Sequence, residues 1–392
     1  MAFFTAADVS RRLPLRHLFL LRFSTTPSSL QNLFPSSLNS GFLEGHDPNK
    51  SLPVTSSSPA SGRFAVQLAA LRISNVDSGK PNPAASREPF LSTVILSYGS
   101  AHMLDRAIAT FEDVRRLTAA PPTALSFNAV LSAAIRSRSH NQVPQLFSQL
   151  SQKHSISPDK LSYGILIKAL CLCGKTDAAF EILKEMETKG IEVTTVTYTT
   201  LINSLYKEEK PERADDLWKE MVQKGRNPDL ASYNVKIRHH AVKGNLKAVL
   251  ETVSELISAG LKPERTTYNY LMSCYSRNGR FEDVKRVYEE LKSNHCDPNS
   301  TTFKVMMKFL CENGDFDAGF DVFKKTMDQN KVPDFLTLKP LVVGLAKSSR
   351  IEEAKTVIMV ARQRFPANKV GGWKEVEKKL GLDMHEKEGD ES

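Results

Sequence analysis

A pair of residues that begins with proline returns every 35 residues in the second half of this chain, and this period limits the folds that it can adopt. The pairs are Pro228-Asp229, Pro263-Glu264, Pro298-Asn299 and Pro333-Asp334. Pro158-Asp159 lies two periods before the first of them. A period of about 20 to 50 residues indicates an array of stacked units, each of which contacts only its neighbours. The sequence therefore predicts one repeat array rather than two or three globular domains.

Each copy of the repeat contains two apolar faces with helical spacing, separated by a turn. Apolar residues recur at intervals of three and four, as Ala179, Leu183 and Met186 do. The fifteenth residue is glycine in most copies, and Glu209 takes its place in one. Because a glycine ends a helix and a later proline prevents it from continuing, each copy should be a helical hairpin. The fourth residue is aromatic in five copies: Tyr163, Tyr198, Tyr233, Tyr268 and Phe303.

A single hairpin cannot bury its apolar face alone, so neighbouring hairpins must stack. We therefore expect an all-α fold, a right-handed α-solenoid in which the first helices line one surface and the second helices line the other. The aromatic fourth residue and the small twentieth residue should form the packed seam. The predicted array covers residues 88–366 as eight repeats: 88–123, 124–159, 160–194, 195–229, 230–264, 265–299, 300–334 and 335–366.

The segments on either side of the array have a different composition. Residues 1–23 contain four arginines and one aspartate, which is typical of an organelle transit peptide. Their arginine spacing favours the mitochondrion over the chloroplast; the alternative is an ordinary disordered terminus. Residues 24–87 form a predicted Ser/Pro-rich linker with one short helix at 63–74. After the array we expect a C-terminal capping helix within 367–382 and an acidic disordered tail at 383–392.

Charge and cysteine usage narrow the possible partners. The net charge of +9 suits a polyanionic partner, although it does not identify RNA. The five cysteines are odd in number and show no zinc-site spacing, so we expect reduced thiols in or near the core and no cofactor. We expect no membrane span, because no apolar run reaches the required length of about 20 residues. A metal site at His239-His240 would need further ligands, and none has suitable spacing.

The repeat resembles the pentatricopeptide repeat family of plant organelles. The segments that carry the resemblance are Val196–Ile202 (VTYTTLI), Ala231–Asn234 (ASYN) and Thr266–Leu271 (TTYNYL). The period of 35 residues favours this family over tetratricopeptide repeats, whose period is about 34. The unbroken array resembles the class of this family that carries no additional catalytic or editing domain.

The resemblance implies that the array binds single-stranded RNA at about one base per repeat. In this family the fifth and the last residues of a repeat select the base. The pairs expected to read bases are Asn128 with Asp159, Thr199 with Asp229, Asn234 with Glu264, and Asn269 with Asn299. Two further positions are poorly equipped, because Gly164 has no side chain and Lys304 suits a phosphate better than a base. We therefore expect a modest or short sequence preference, or binding that does not depend on sequence.

A row of basic residues could bind the RNA backbone. The ninth and thirteenth residues of a first helix share one face, since they are four residues apart. Each repeat from the second onward has one basic residue at these two places, alternating between them. If first helices line a groove, the row would follow a nucleic-acid strand; the alternative is a solvated helix face. The residues are Arg136, Lys168, Lys207, Arg238, Arg277, Lys308 and Lys347.

These features favour a mitochondrial, matrix-located RNA-binding adaptor that stabilises a transcript, supports its processing or promotes its translation. The alternative is a structural component of the mitochondrial ribosome that contacts ribosomal RNA and ribosomal proteins. A protein scaffold that binds no RNA is a third hypothesis. An enzyme would need an acidic metal cluster or a nuclease domain, and the sequence indicates neither. We expect no small-molecule substrate.

Overall fold

The computed structural model describes residues 87–365 and 371–381, all of which belong to one compact unit within Ser57–Ser392. The expected transit peptide, the linker up to residue 86 with its helix at 63–74, and the acidic tail lie outside the described residues. The helices are α1 (Glu88–Ser100), α2 (Leu104–Glu112), α3 (Val114–Thr118), α4 (Ala124–Arg136), α5 (Val143–Lys153), α6 (Lys160–Leu172), α7 (Thr176–Thr188), α8 (Thr195–Lys207), α9 (Pro211–Gln223), α10 (Leu230–Val242), α11 (Leu246–Ser258), α12 (Arg265–Arg277), α13 (Phe281–Ser293), α14 (Ser300–Glu312), α15 (Phe316–Asp328), α16 (Phe335–Lys347), α17 (Ile351–Arg364) and α18 (Gly371–Leu380).

Consecutive helices form hairpins that stack in chain order. The first helices of the repeats are α1, α4, α6, α8, α10, α12, α14 and α16, and each packs against the first helix of the repeat before and after it. Every second helix packs against the first helix of its own repeat. The first helices therefore make one continuous layer. The predicted all-α solenoid of stacked hairpins is confirmed in the described part of the chain.

Local sequence signals set the ends of these helices. From the third repeat onward, each first helix begins at the first residue of its repeat, because the last residue of the preceding repeat is its N-cap. The turn between the two helices of a hairpin needs a left-handed residue, which Gly174 provides with φ of 69°. Glu209 occupies the equivalent place with φ of 57°, so this turn forms without glycine at some conformational cost.

The residues expected to form the seam are buried. The five aromatic fourth residues are at most 8% exposed, and Ala179, Ala214, Val249 and Val284 at the twentieth position are fully buried. Several tyrosines also satisfy their hydroxyl groups at the edge of the core. Tyr163 donates to Glu185 Oε1 at 2.9 Å, and Asn294 Nδ2 donates to the Tyr268 hydroxyl at 3.0 Å. Core packing is thus the structural role of this aromatic position.

The buried residues fall into two clusters that meet at the fifth repeat. One cluster runs from Val94 to Met221 and the other from Tyr233 to Val376, and Trp218 packs against both. The fifth repeat is the reason for the break. Its seventh residue is Lys236, where the other seven repeats place a buried apolar residue, such as Leu166, Leu201, Leu271 or Met306. Its tenth and eleventh residues are His239 and His240.

A last helix covers the C-terminal end of the array. The Trp373 side chain of α18 is buried, and its ring lies 4.7 Å from the Phe335 ring of α16 at an interplanar angle of 82°. An ion pair of 2.6 Å joins Glu377 of α18 to Arg362 of α17. Burial of an aromatic side chain of this size, together with the ion pair, ties α18 to the eighth hairpin.

All five cysteines are free thiols, and only Cys274 is fully buried. This agrees with the reduced thiols expected from the sequence. Among residues 87–365 and 371–381, no helix combines the length and the apolar character needed to cross a bilayer.

Candidate nucleic-acid interface

The first helices expose one face, which we call the first-helix surface and define by the second, fifth, ninth and thirteenth residues of each repeat. Most of the predicted basic row is exposed on it: Arg136, Lys168, Lys207, Arg277, Lys308 and Lys347. Arg238 is only partly exposed and donates to Asn203 Oδ1 at 2.9 Å. Since Asn203 is the ninth residue of the fourth repeat, this bond links the ninth positions of two neighbouring repeats.

The structure brings several candidate residues into one pocket of about 240 Å³ between α6, α8 and α10. Lys168 and Lys207, two neighbouring members of the basic row, line it together with the pair Thr199 and Asp229. The exposed side chain of Val196 also lines the pocket. Cations, hydrogen-bonding groups and an apolar surface therefore occur within a single recess.

The second residue of the repeat differs between the second to fourth repeats and the fifth to seventh repeats, and Leu336 in the eighth repeat is again apolar and 79% exposed. In the second, third and fourth repeats it is the exposed apolar residue Leu125, Leu161 or Val196, and Val196 is 68% exposed. In the fifth, sixth and seventh repeats it is Ala231, Thr266 or Thr301. Large exposed apolar side chains beside cations are suited to contact the faces of bases, whereas small or polar ones offer less area.

Asn128 and Asp159 form a direct pair. Asn128 Nδ2 lies 3.1 Å and 3.3 Å from the two carboxylate oxygens of Asp159, and Asn128 Oδ1 accepts a bond of 2.6 Å from Ser162. Asp159 also caps α6 by accepting from the backbone N–H groups of Leu161 and Ser162. The last residue of a repeat therefore has two roles, since it holds the fifth residue of its own repeat and begins the next helix.

Thr199 and Asp229 are connected by hydrogen bonds through a third residue, Ser232. The Thr199 hydroxyl lies 2.6 Å from Ser232 Oγ, and Ser232 donates to Asp229 Oδ1 at 2.7 Å. Asp229 also accepts from the backbone N–H of Ser232 at 2.8 Å, which caps α10. The predicted pair is thus assembled through the hydroxyl group of the following repeat.

The other two predicted pairs are less complete. Asn234 Oδ1 accepts from Thr267 at 2.8 Å. Asn269 Nδ2 lies 3.4 Å from Asn299 Oδ1, at the long limit of a hydrogen bond. Asn269 Oδ1 is buried without a hydrogen-bond partner. A buried carbonyl oxygen without a donor is costly, so the Asn269–Asn299 pair is held less favourably than Asn128 and Asp159.

Gly164 and Lys304, the two fifth residues least suited to select a base, differ in their surroundings. Gly164 leaves space beside Thr197, whose Oγ1 would lie 3.9 Å from a Cβ atom at that position. Lys304 does not remain free for a phosphate, because its Nζ forms an ion pair of 2.6 Å with Asp334. The fifth and last residues of the seventh repeat therefore neutralise each other.

Hydrogen bonds lower the pKa of two carboxylates on this surface, those of Asp159 and Asp334. Partial burial tends to raise the pKa of Asp159, but the bonds from Ser162, Asn128 and Leu161 outweigh it and lower this pKa below its usual value. The pKa of Asp334 is lowered in the same way, against burial, by Lys304 and Thr337. At neutral pH both carboxylates are therefore hydrogen-bond acceptors without a proton to donate.

Sequence reasoning missed two sets of residues in this interface. The third residue of every repeat from the second onward is serine or threonine, and this regular hydroxyl was a visible signal: Ser126, Ser162, Thr197, Ser232, Thr267, Thr302 and Thr337. The second omission is Glu88, whose Oε1 accepts from Ser126 Oγ at 2.6 Å and from the Thr123 backbone N–H at 2.8 Å. Glu88 supplies the carboxylate that Thr123, the last residue of the first repeat, lacks, and no local pattern indicated this contact.

His239 and His240 lie beside aromatic and charged groups. The His239 ring stacks on the Tyr206 ring at a centroid distance of 4.1 Å. In the part of the chain that the structure describes, no group of three or more His, Cys, Asp or Glu side chains is arranged to hold a metal ion.

The chain is similar to known pentatricopeptide repeat proteins in sequence and in fold. The model of the PPR repeat family matches residues 165–207, 193–242 and 263–312, and a PPR repeat model matches 301–329. A mitochondrial pentatricopeptide repeat-containing protein of Arabidopsis thaliana is 41% identical over 211 residues, which are 48% of this chain and 50% of that protein. The Arabidopsis small ribosomal subunit protein mL103 is 41% identical over 190 residues, 44% of this chain and 46% of that protein. This chain thus spans about half the length of these relatives.

Among solved structures, the crystal structure of the pentatricopeptide repeat protein PPR10 from maize has a TM-score of 0.51. The alignment covers 83% of this chain and 58% of PPR10 at 18% identity. At this level of identity the similarity concerns the fold.

Proposed function

Because this chain belongs to the pentatricopeptide repeat family, we propose that it binds single-stranded RNA along the first-helix surface as a mitochondrial adaptor in post-transcriptional gene expression. The observation that carries the proposal is the pocket between α6, α8 and α10. It combines Lys168 and Lys207 with Val196, Thr199 and Asp229. Single-stranded nucleic acid needs this combination, since cations bind the phosphates while apolar and hydrogen-bonding groups contact the bases.

The proposed activity is binding and positioning, without a chemical step by this chain. The RNA would lie along successive first helices, and each repeat would contact about one base. The eight-residue base-reading set and the seven-residue basic row predicted from the sequence are its proposed contacts. The mitochondrial location is supported by the mitochondrial relative of Arabidopsis.

A structural role in the mitochondrial ribosome is the second candidate. Two observations favour it. A relative that is 41% identical over 190 residues is a small ribosomal subunit protein. In addition, Gly164 and the Lys304–Asp334 ion pair leave two repeats without a side chain free to select a base. An array of this kind could bind a fixed segment of ribosomal RNA, because affinity for phosphates does not require base selection.

Charge reversal in the pocket tests RNA binding. The double variant Lys168→Glu/Lys207→Glu should bind single-stranded RNA roughly tenfold more weakly or worse, because two phosphate contacts become repulsive. The logarithm of its affinity should also depend less steeply on the logarithm of salt concentration, by about 1.4 units for two lost contacts. Fluorescence anisotropy with labelled single-stranded RNA measures both quantities.

The matched control is Lys184→Glu/Lys219→Glu. These lysines belong to the same two repeats and are 67% and 68% exposed, but they lie on the second helices α7 and α9. The control should keep wild-type affinity and salt dependence. Equal affinity losses in both double variants would show that net charge alone attracts RNA, and no loss in either would overturn the proposed interface.

Sedimentation of the tagged protein from mitochondrial extract separates the two candidate functions. An adaptor should leave the ribosomal fractions at high salt and crosslink to short sites on particular transcripts. Comigration with a ribosomal subunit that resists high salt would instead establish the structural role.

A further inference from the structure

We infer that the hydroxyl group at the third residue of a repeat sets the hydrogen-bonding direction of the fifth residue of the repeat before it, and thereby helps to select the base. This inference rests on the proposed function, because it concerns the same RNA-binding surface. The hydroxyl belongs to a positioning residue: it contacts the side chain that faces the base and has no contact with the RNA itself.

The fourth repeat shows the effect most directly. Ser232 Oγ lies 2.7 Å from Asp229 Oδ1 and 2.6 Å from Thr199 Oγ1, and each of these short contacts needs a proton between its two oxygens. Asp229 Oδ1 accepts from the backbone N–H of Ser232, and the Ser232 hydroxyl donates to the same oxygen. A hydroxyl has one proton, and therefore Thr199 must donate to Ser232. The protons run in one direction, from Thr199 through Ser232 to Asp229.

The second repeat holds an amide in a fixed orientation by the same means. Asn128 Oδ1 lies 2.6 Å from Ser162 Oγ, and only Ser162 can supply the proton for this contact. Asn128 Nδ2 then faces the Asp159 carboxylate at 3.1 Å. Rotating the amide by half a turn would set its carbonyl oxygen against that carboxylate, and two acceptors repel at this distance. Ser162 and Asp159 together allow one orientation.

Other repeats provide natural contrasts. Thr267 donates to Asn234 Oδ1 at 2.8 Å, so the fifth repeat is also oriented. Thr302 instead donates to Asn299 Oδ1 at 3.1 Å, and Asn269 Oδ1 is buried without a partner. Thr197 occupies the equivalent place in the fourth repeat, but the residue that it would orient is Gly164.

The direction of these bonds determines what each repeat offers to a base. Thr199 has given its proton to Ser232, so it presents acceptor lone pairs. The carbonyl oxygen of Asn128 already accepts a hydrogen bond from Ser162, so the group that Asn128 can offer to a base is the remaining N–H donor of its amide. The fourth repeat should therefore prefer a base edge with N–H or amino groups, and the second repeat a base edge with a carbonyl or unprotonated ring nitrogen.

Selection of sequences by the purified full chain tests this inference. The chain and its variants are incubated with a pool of random single-stranded RNA, and the bound fraction is sequenced. In Ser232→Ala, the Thr199 hydroxyl can rotate and can donate or accept. The preference at the one nucleotide read by the fourth repeat should fall roughly three- to tenfold, the range expected for one directional hydrogen bond. Ser162→Ala should weaken the preference at the nucleotide read by the second repeat to a smaller extent, because the Asp159 carboxylate still disfavours the rotated Asn128 amide.

Two variants distinguish orientation from simple loss of stability. Ser232→Thr keeps the hydroxyl group and should retain the base preference. Thr197→Ala removes a buried hydroxyl at the same place in the repeat, where Gly164 leaves nothing to orient, so it should leave every base preference unchanged. All variants should keep the salt dependence of binding, because none alters a cation.

A measurement without RNA tests the relay itself. Thr199→Val and Ser232→Ala each remove one hydroxyl, and thermal unfolding compares the two single variants with the double variant. If the hydroxyls form one relay, the double variant should unfold near the midpoint of the less stable single variant. Additive shifts of the midpoint would overturn the relay.

The outcomes separate this inference from the proposed function. Unchanged base preferences in Ser232→Ala and Ser162→Ala, or the absence of any preference in the wild-type chain, would overturn the inference while RNA binding still supports the function. A wild-type chain that binds no RNA would overturn the proposed function before any variant is compared, and the inference with it.

Discussion

The second to fourth repeats and the sixth and seventh repeats share one hairpin architecture, but their first-helix surfaces differ in side-chain chemistry. From the second to the fourth repeat, exposed apolar second residues accompany Lys168, Lys207 and the pocket that they line. From the sixth to the seventh repeat, threonine takes the second position and Lys304 is paired with Asp334. Lys308 also lies 3.8 Å from Glu312. Hairpins of the same architecture can therefore carry exposed cations and apolar side chains in one part of the array and paired charges in another.

Charge reversal in the sixth and seventh repeats should give the largest contrast with charge reversal in the pocket. We expect Arg277→Glu/Lys308→Glu to weaken RNA binding only about threefold, against roughly tenfold or more for Lys168→Glu/Lys207→Glu, because affinity follows the phosphate contacts that are made. Anisotropy titrations of the two double variants at one salt concentration measure this difference. Equal losses would show that the RNA contacts both parts of the array alike and would remove the proposed asymmetry.

The boundary between these two parts of the array coincides with the break in the apolar core. Lys236 occupies a core position, and its side chain is only 19% exposed. Its Nζ lies 5.2 Å from the centre of the Trp218 ring and 3.5 Å from Glu255 Oε2. The interactions of Lys236 thus replace, at this boundary, the aliphatic packing that continues elsewhere.

The variant Lys236→Leu should join the two clusters and stabilise the chain by about 1 kcal/mol. A buried leucine contributes about 2 kcal/mol, from which the lost cation–π contact and ion pair subtract roughly half. Urea unfolding followed by circular dichroism measures the change. Lys247→Leu is the control, because this lysine of the same repeat is 84% exposed and its substitution should give no comparable gain. A gain of equal size in the control would remove the role assigned to the core position.

The same boundary should respond to pH, with the smallest effect of the three. Burial lowers the pKa of His239 and of His240 below the ordinary value of 6.5. Lys243 and Arg238 also lower the pKa of His239, Lys236 and His239 also lower that of His240, and Glu209, Asp215 and Glu251 oppose these shifts. As the pH falls below 6.5, the unfolded chain binds protons that the folded chain does not, so stability should decrease.

Thermal unfolding between pH 7.5 and about pH 5.5 measures this decrease. His240→Leu should make the unfolding midpoint less sensitive to pH, because one of the two partly buried imidazoles is gone. His295→Leu, a change in an exposed turn, is the control for replacing a histidine. An unchanged pH dependence of the unfolding midpoint in His240→Leu would show that protonation of this imidazole does not affect stability at the boundary.

Local chemistry made the hairpins predictable. The 35-residue period, the glycine turns and the apolar spacing act over a few residues, so the sequence alone predicted the helices and the buried aromatic position. The positions of the basic row could likewise be predicted from the sequence, because residues four apart share a helical face. For the base-reading set, the sequence indicated which residues could pair across a repeat, as Asn128 and Asp159 do.

Contacts between residues about 30 to 40 positions apart depended on the packed structure, because the spacing and tilt of neighbouring hairpins set their distances. Glu88 caps the helix of the next repeat, Lys304 is neutralised by Asp334, and Ser232 receives a proton from Thr199. The sequence by itself determined a stack of two-helix repeats and the positions facing one surface. Tertiary structure decided which of those side chains are free and in which direction their hydrogen bonds run, since both depend on the nearest partner across a repeat boundary.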